Sequence, residues 1–294
     1  MKLYKARLTP TSQFITRLKG DTLFGQVCWS IVHSCGEDRL ETLLSTYSTR
    51  PFLVVSDAFA TGYLPKPTMP SKYLSEKSED KKINRKKIWL TMSELHSGAY
   101  AQARDNAAAD AIDVKHSEIH NAINYKTFTT DSDNFAPFSV ETLSLQKKDV
   151  YFLLDESQLS LEEFTAVLAL LQLSGYGKKS SVGMGRFELS DLEKVSLTSS
   201  SKAFMTLSPS RLEGLETEYC FYDTFVRFGK HGGNRAFKNA FKTPILLADS
   251  GAVVQFKTSQ QHQYLGQAIH NVSSVHKDTV HQGYSIVLPI KELS

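Results

Sequence analysis

Two helix-length apolar stripes constrain the first two hundred residues most strongly. Each lies between strand-like runs, and the order of the six elements leaves few folds open. Residues 3–8 alternate as a first strand and stop at Thr9-Pro10. Lys19-Gly20-Asp21-Thr22 is a helix-start signal with Asp21 or Thr22 as the expected cap, and Leu23, Phe24, Val27, Cys28, Ile31 and Val32 then share one helical face. A short second helix is expected over 39–47, and Pro51 opens an apolar strand over 52–59. Residues 150–154 read as another buried strand. Ser160-Leu161-Glu162-Glu163 reads as a capping box ahead of Phe164, Val167, Leu168 and Leu171, with Gly175 as the stop. A further strand starts at Arg186. With the segment between the halves set aside, the order is β-α-β-β-α-β, the split βαβ or ferredoxin-like (RRM-like) pattern of an α+β chain.

The segment set aside spans about 65–139. Pro65, Pro67 and Pro70 force extended or turn backbone. Between 66 and 90 there are eight Lys/Arg and three acids, a local net of 8 − 3 = +5. No sustained apolar period runs through it, so it reads as a projecting insertion with no core of its own. A Ser/Thr stretch over 196–201 is the expected boundary between a domain 1–200 and a second domain 201–294. Beyond it, strands over 220–228, 244–248, 252–256 and 284–290 make a β-rich α+β domain, with Ala248-Asp249-Ser250-Gly251 expected to join two of them as a hairpin.

Three cysteines without a CxxC pair argue against a disulfide framework or a zinc cluster. No signal-peptide pattern and no 18-residue apolar run are present, so a soluble, cytoplasmic chain with no membrane partner is expected. A net charge of +3 in 294 residues names no partner; its distribution has to. No HExxH, Gly-x-Ser-x-Gly elbow or carboxylate cluster accompanies the nine histidines, and His116 and His120 read as part of a solvated helix or hairpin. No catalytic group, metal or cofactor is expected.

Four stretches are candidates for binding an anion. The first is the loop Gly175, Tyr176, Gly177, Lys178, Lys179, Ser180, Ser181, Gly183, Met184, Gly185 and Arg186, in which glycines bring backbone close to a phosphate. It follows a helix and opens a strand, so it is neither a P-loop nor a dinucleotide fingerprint. The second is the helix start with Arg17, Lys19, Gly20, Asp21 and Thr22, where orphan N–H groups and the dipole favour an anion. The third holds Arg227, Lys230, His231 and Arg235, followed by Lys238 and Lys242; across 219–243 five cations face one acid, a net of 5 − 1 = +4. The fourth, in the insertion, holds Lys66, Arg85, Lys86 and Trp89, whose indole could stack on a base.

Taken in order, the first strand, the Gly-Asp-Thr-Leu-Phe-Gly helix, the Pro-Phe…Ser-Asp-Ala-Phe strand, Leu-Pro-Lys-Pro, a long insertion, the glycine-rich loop and the His281-Gln282-Gly283-Tyr284…Leu288-Pro289-Ile290 end resemble the RAMP proteins of CRISPR effectors. Within them the chain is most similar to the crRNA 5′-handle-binding subunits of type III-A (Csm) complexes. The resemblance runs nearly the whole chain and rests on the ordered set. It implies a non-catalytic RNA-binding subunit: a ferredoxin-like domain holding the 5′ repeat-derived handle, the insertion as a thumb, and a second, degenerate ferredoxin-like domain. It also implies contacts with the large polymerase-like Cas subunit and the backbone RAMP subunit. Two alternatives stay open. One is a CRISPR-repeat endoribonuclease of the related processing family, for which His33 near the end of the first helix would be the nearest acid or base. The other is the equivalent subunit of a type III-B complex.

Overall fold

The computed structural model describes residues 1–75, 80–130, 135–196, 200–237 and 239–293. The first strand, β1 (Lys2–Pro10), leads through a polar loop to α1 (Gly20–Cys35), whose Leu23, Phe24, Val27 and Ile31 are buried, and then to α2 (Glu37–Ser45). The strand expected over 52–59 is two pieces, β2 (Leu53–Val55) and β3 (Phe59–Ala60). Ser56 Oγ accepts the Tyr151 N–H at 2.8 Å inside the ladder, and at this break Asp57 reaches away to α1.

The segment after β3 departs from the expectation of a coreless insertion. It runs through β4 (Leu64–Pro65), α3 (Ser71–Leu74), α4 (Lys81–Lys86), β5 (Trp89–Leu90) and α5 (Met92–Ser97). Met69, Leu74, Leu90, Leu95, Tyr100 and Ala103 all join the main core. Elements this short each contribute one or two apolar residues, too few to show a period. Helix α5 carries a complete capping box, with Glu94 N donating to Thr91 Oγ1 and Thr91 N to Glu94 Oε2, and Glu94 also takes a bidentate pair from Arg104 at 2.8 Å. What stands out from the body is the hairpin of β6 (Val114–His120) and β7 (Phe138–Ser144), with Ile119, Tyr125, Phe128 and Phe138 exposed. His116 and His120 lie on it. Its base is tied down: Phe14 and Leu143 exchange backbone bonds of 2.8 and 2.7 Å, and Lys148 meets Asp113 at 2.8 Å.

Strand β8 (Lys148–Leu154) is buried throughout, α6 (Leu161–Ser174) follows, and β9 (Phe187–Leu189) and β10 (Glu193–Val195) close the first sheet. Ser160 caps α6, but the Glu163 carboxylate binds Arg39 twice at 2.8 Å instead of closing the expected box. Strand β1 lies between β8 and the β9–β10 edge, and β2 lies outside β8, all antiparallel. The four parts of the sheet thus run fourth, first, third, second, and α1 packs on α6.

The later strands are β11 (Ser201–Thr206), β12 (Tyr219–Phe221), β13 (Thr224–Arg227), β14 (Ile245–Ala248), β15 (Val253–Gln260), β16 (Tyr264–Gly266) and β17 (Tyr284–Ile290). They form an antiparallel sheet ordered β12-β15-β11-β17-β16 and a separate β13–β14 pair. The strand expected over 220–228 is broken at Tyr222-Asp223, and no hairpin spans 248–251; that turn passes the chain from one sheet to the other. Among the described residues this half holds no α-helix, only a 3₁₀ turn over Gly233–Ala236. Residues 197–199, within the expected boundary, lie outside the described residues. The two sheets share one core: Ala203, Met205, Leu207, Val253, Ile286 and Leu288 belong to the same buried cluster as Leu3, Val54 and Phe152. The Gln282 side chain stitches them, accepting from Val55 N at 2.9 Å and donating to Val55 O at 2.8 Å. No helix among the described residues is long and apolar enough to cross a membrane.

Leu95→Ala is expected to cost about 2–5 kcal/mol, as for a buried leucine. Trimming the hairpin at the Ser117–Glu141 rung to an Asn-Gly turn should leave the urea midpoint nearly unchanged. Equal effects of the two changes would contradict this division into core and projection.

Candidate nucleic-acid interface

Helix α1 begins against carboxylates supplied from inside the protein. Neither of the two expected caps, Asp21 or Thr22, caps the helix; Lys19 occupies that position and makes no side-chain capping bond. Gly20 N donates to Asp57 Oδ1 at 2.8 Å, and Lys19 Nζ bridges Asp57 Oδ2 at 2.8 Å and Asp249 Oδ1 at 2.6 Å. A side chain at Gly20 would run into the Val55 carbonyl, so only glycine fits there. Asp21 turns inward and takes a bidentate pair from Arg227, Nε at 2.6 Å and Nη2 at 2.5 Å, while His281 Nε2 lies 3.3 Å away. Burial works against the Asp21 carboxylate, but the close approach of His281 and the bidentate Arg227 pair outweigh it and hold its pKa far below the usual range. Burial likewise opposes the Lys19 ammonium, and the Asp57 and Asp249 charges overcome it to raise its pKa.

The glycine loop is seated on the strand-to-helix loop before α1. Tyr176 is fully buried; its hydroxyl donates to Arg17 O at 2.7 Å. Lys178 N donates to Thr16 Oγ1, Gly185 N to Gln13 O and Arg186 N to Ser12 Oγ, all within 3.0 Å. Gly185 has φ +70° and lies against the Tyr176 backbone, leaving no room for a Cβ. The remaining turn, with Lys179 at φ +61°, is closed by Met184 N on Lys179 O. Among the described residues, the N–H groups of Gly177, Lys179, Ser180 and Ser181 have no partner, and Arg17, Lys178, Lys179 and Arg186 form no ion pair. Arg17, Lys178, Ser181 and Gly183 are exposed. The arrangement is a rigid turn with open N–H groups and a rim of four unneutralised cations, chemistry suited to successive phosphates.

The third stretch converges on the same helix. Lys19 and Arg227 flank the Phe225 ring at 5.0 and 4.8 Å, and Gly232 and Gly233 pass against Trp29 of α1. His231 is buried and bonded to Ser273 Oγ at 2.9 Å, so Arg227 and His231 face into the protein. Lys230 is exposed, and Arg235 pairs with Asp278 at 2.6 Å. Lys238 lies outside the described residues. In the insertion, Lys66 Nζ donates to Asn84 O at 3.0 Å, while Thr68 next to it bonds Gly251 beside Asp249. Arg85 and Lys86 are exposed on α4, and Trp89 spends its N–H on Asn106 at 2.7 Å and packs partly against the core. These last three do not join the α1 cluster. Asp57, Asp249, Phe225 and His281 belong to it although the sequence marks none of them as a site residue: Asp57 and His281 stand only in the ordered motifs and Asp249 only in a turn. Physically, Asp57 shows in the sequence as a polar pair, Ser56-Asp57, interrupting an apolar run. Among the described residues no three His, Cys, Asp or Glu side chains are grouped to hold a metal.

No family model matches the chain, and no curated protein does. Solved structures do. A chain from the crystal structure of a Csm1–Csm4 cassette with AMPPNP superposes with a TM-score of 0.64 at 14% identity, covering 99% of each chain. The same cassette with cA4 gives 0.63 at 15%, again over 99% of both. A chain of a Csm3–Csm4 subcomplex of the type III-A CRISPR-Cas interference complex gives 0.62 at 16%, covering 99% of this chain and all of that one. Csm4 is the component those assemblies share. The fold is Csm4-like. At these identities the likeness concerns architecture, and the Csm4-like frame spans the core, the hairpin and the α1 cluster together.

In this Csm4-like fold Asp21→Asn should lower stability by about 3–5 kcal/mol, since it leaves Arg227 buried beside a neutral group. Adding Arg227→Met should recover much of that. Because the folded pKa of Asp21 is depressed, its contribution is complete above the unfolded carboxylate value near pH ~4 and is lost as pH falls below it. Acid unfolding should therefore be steeper in the wild type than in the double variant; identical profiles would remove the pair from the account.

Proposed function

We propose that the chain is the crRNA-binding subunit of a type III-A effector complex, holding the 5′ repeat-derived handle and bridging the large polymerase-like subunit to the backbone subunits. The full-length likeness to chains solved in Csm1–Csm4 and Csm3–Csm4 assemblies carries this reading. The strand order of the first sheet supports a ferredoxin-like RAMP domain, with the β6–β7 hairpin as its thumb. Handle phosphates would lie along the turn 177–181, met by its open N–H groups and by Arg17, Lys178, Lys179 and Arg186. Gly20, Asp21, Tyr176, Arg227 and His231 would shape this surface from beneath. Thr22, Ser180, Ser181, Gly183 and Met184 complete its edge, with Lys66 and Lys230 beyond.

The role is binding without cleavage. The histidine of the nuclease alternative, His33, lies twelve residues beyond Asp21 on α1, about 18 Å along the axis from it, stacked on Trp29. Purified chain incubated with repeat RNA should leave it intact; site-specific cleavage lost on His33→Ala would establish the nuclease instead. Handle RNA should bind, and replacing Lys178, Lys179 and Arg186 by Ala should flatten the dependence of log K on log salt by about 0.7 for each lost contact. An unchanged slope and affinity would leave the loop a connector.

A further inference from the structure

Resting on that RNA-binding reading, we infer a second, separate contact: the outer face of the β13–β14 arm is a base-stacking platform for single-stranded RNA. The 25 residues 224–248 contain five Lys/Arg, four Phe and no acid. Past the ends of the two strands the pairing continues, with Lys242 N on Gly229 O and His231 N on Ala240 O, both within 2.9 Å. Strand alternation then divides the arm into two faces. Phe225, Arg227 and His231 point inward, onto Lys19, Asp21 and Ser273. Val226, Phe228 and Lys230 point outward, opposite Leu246 and Phe241. Phe228 is 71% exposed, Phe241 60% and, at the tip, Phe237 93%. Lys230 Nζ sits 4.5 Å from the centre of the Phe241 ring.

Three rings left in water on an arm with no acid are costly unless something covers them. The charge selects the occupant. Among the described residues Lys230 is the arm cation that stands on this face without an acid, Arg227 and Arg235 being paired with Asp21 and Asp278; a protein surface would have to bring that acid, whereas single-stranded RNA supplies a phosphate for Lys230 and a flat base for each ring. Base–aromatic stacking tolerates any sequence. Phe228 and Lys230 are two residues apart on one face, roughly 7 Å, so one can take a base while the other meets a neighbouring phosphate. Because Arg227 is consumed by Asp21, the platform works mainly by stacking and is electrostatically distinct from the glycine loop.

The test uses the full chain and an unstructured single-stranded RNA 12-mer carrying 2-aminopurine, beside an abasic copy. Binding of the normal RNA should quench 2-aminopurine. Replacing Phe228, Phe237 and Phe241 together by Ala should weaken it at least about fivefold, abolish the quench and leave the salt slope unchanged. Wild type and variant should bind the abasic copy alike, and Trp at the three positions should restore both affinity and quench. The rings are exposed, so the variant is expected to fold; an unchanged urea midpoint checks this. A wild-type chain that binds no RNA sinks the parent reading and this one together. Equal affinity and quench in the Ala variant overturn the platform alone and leave handle binding standing. Normal RNA binding with loss of a protein subunit from the assembled complex also overturns it, giving the face to a protein.

Discussion

Asp21 is a carboxylate with no exposed side-chain surface, on the first turn of a helix, and its charge is sustained by groups from distant parts of the chain. Arg227 comes from the arm after the second sheet begins, and His281 from the approach to the last strand. Removing a carboxylate from water is expensive unless its lone pairs are met, so α1, the arm and the stretch before β17 must arrive together. The shared core imposes the same requirement in apolar terms, since β11, β15 and β17 bury their side chains with those of β1, β2 and β8. The two sheets therefore stabilise one another instead of standing as independent units.

That constraint also sorts the cations. Lys19, Arg227 and Lys148 are held by Asp57 and Asp249, by Asp21 and by Asp113, and are part of the scaffold. Arg17, Lys178, Lys179, Arg186 and Lys230 remain outside, without acids among the described residues, on loops and an arm that the scaffold fixes in place. Basic residues adjacent in sequence thus have opposite duties. On the arm the division follows the two-residue alternation of the strand, and at the helix start it follows which side chain finds a buried carboxylate.

The sequence alone determined the order of strands and helices in the first sheet, the seat and ends of α6, the glycine-rich turn and the basic composition of the later arm. Each is set by local physics: apolar periodicity, glycine where backbone must turn or approach closely, and the absence of acids over 25 residues. The insertion shows no apolar period because its helices are one or two turns long, and a single leucine such as Leu95 makes no pattern although it is fully buried. The hairpin expected at 248–251 failed for a related reason: a turn signal fixes the local bend but not the partner, and β14 and β15 find theirs in different sheets. Only the tertiary structure decided that Asp57 and Asp249 hold Lys19, that Asp21 is a buried counter-ion and not a cap, and that Arg227 and His231 face inward while Phe228 and Lys230 face out. Charge and turn propensity belong to the chain locally, whereas burial and pairing depend on what segments two hundred residues away bring to the same place.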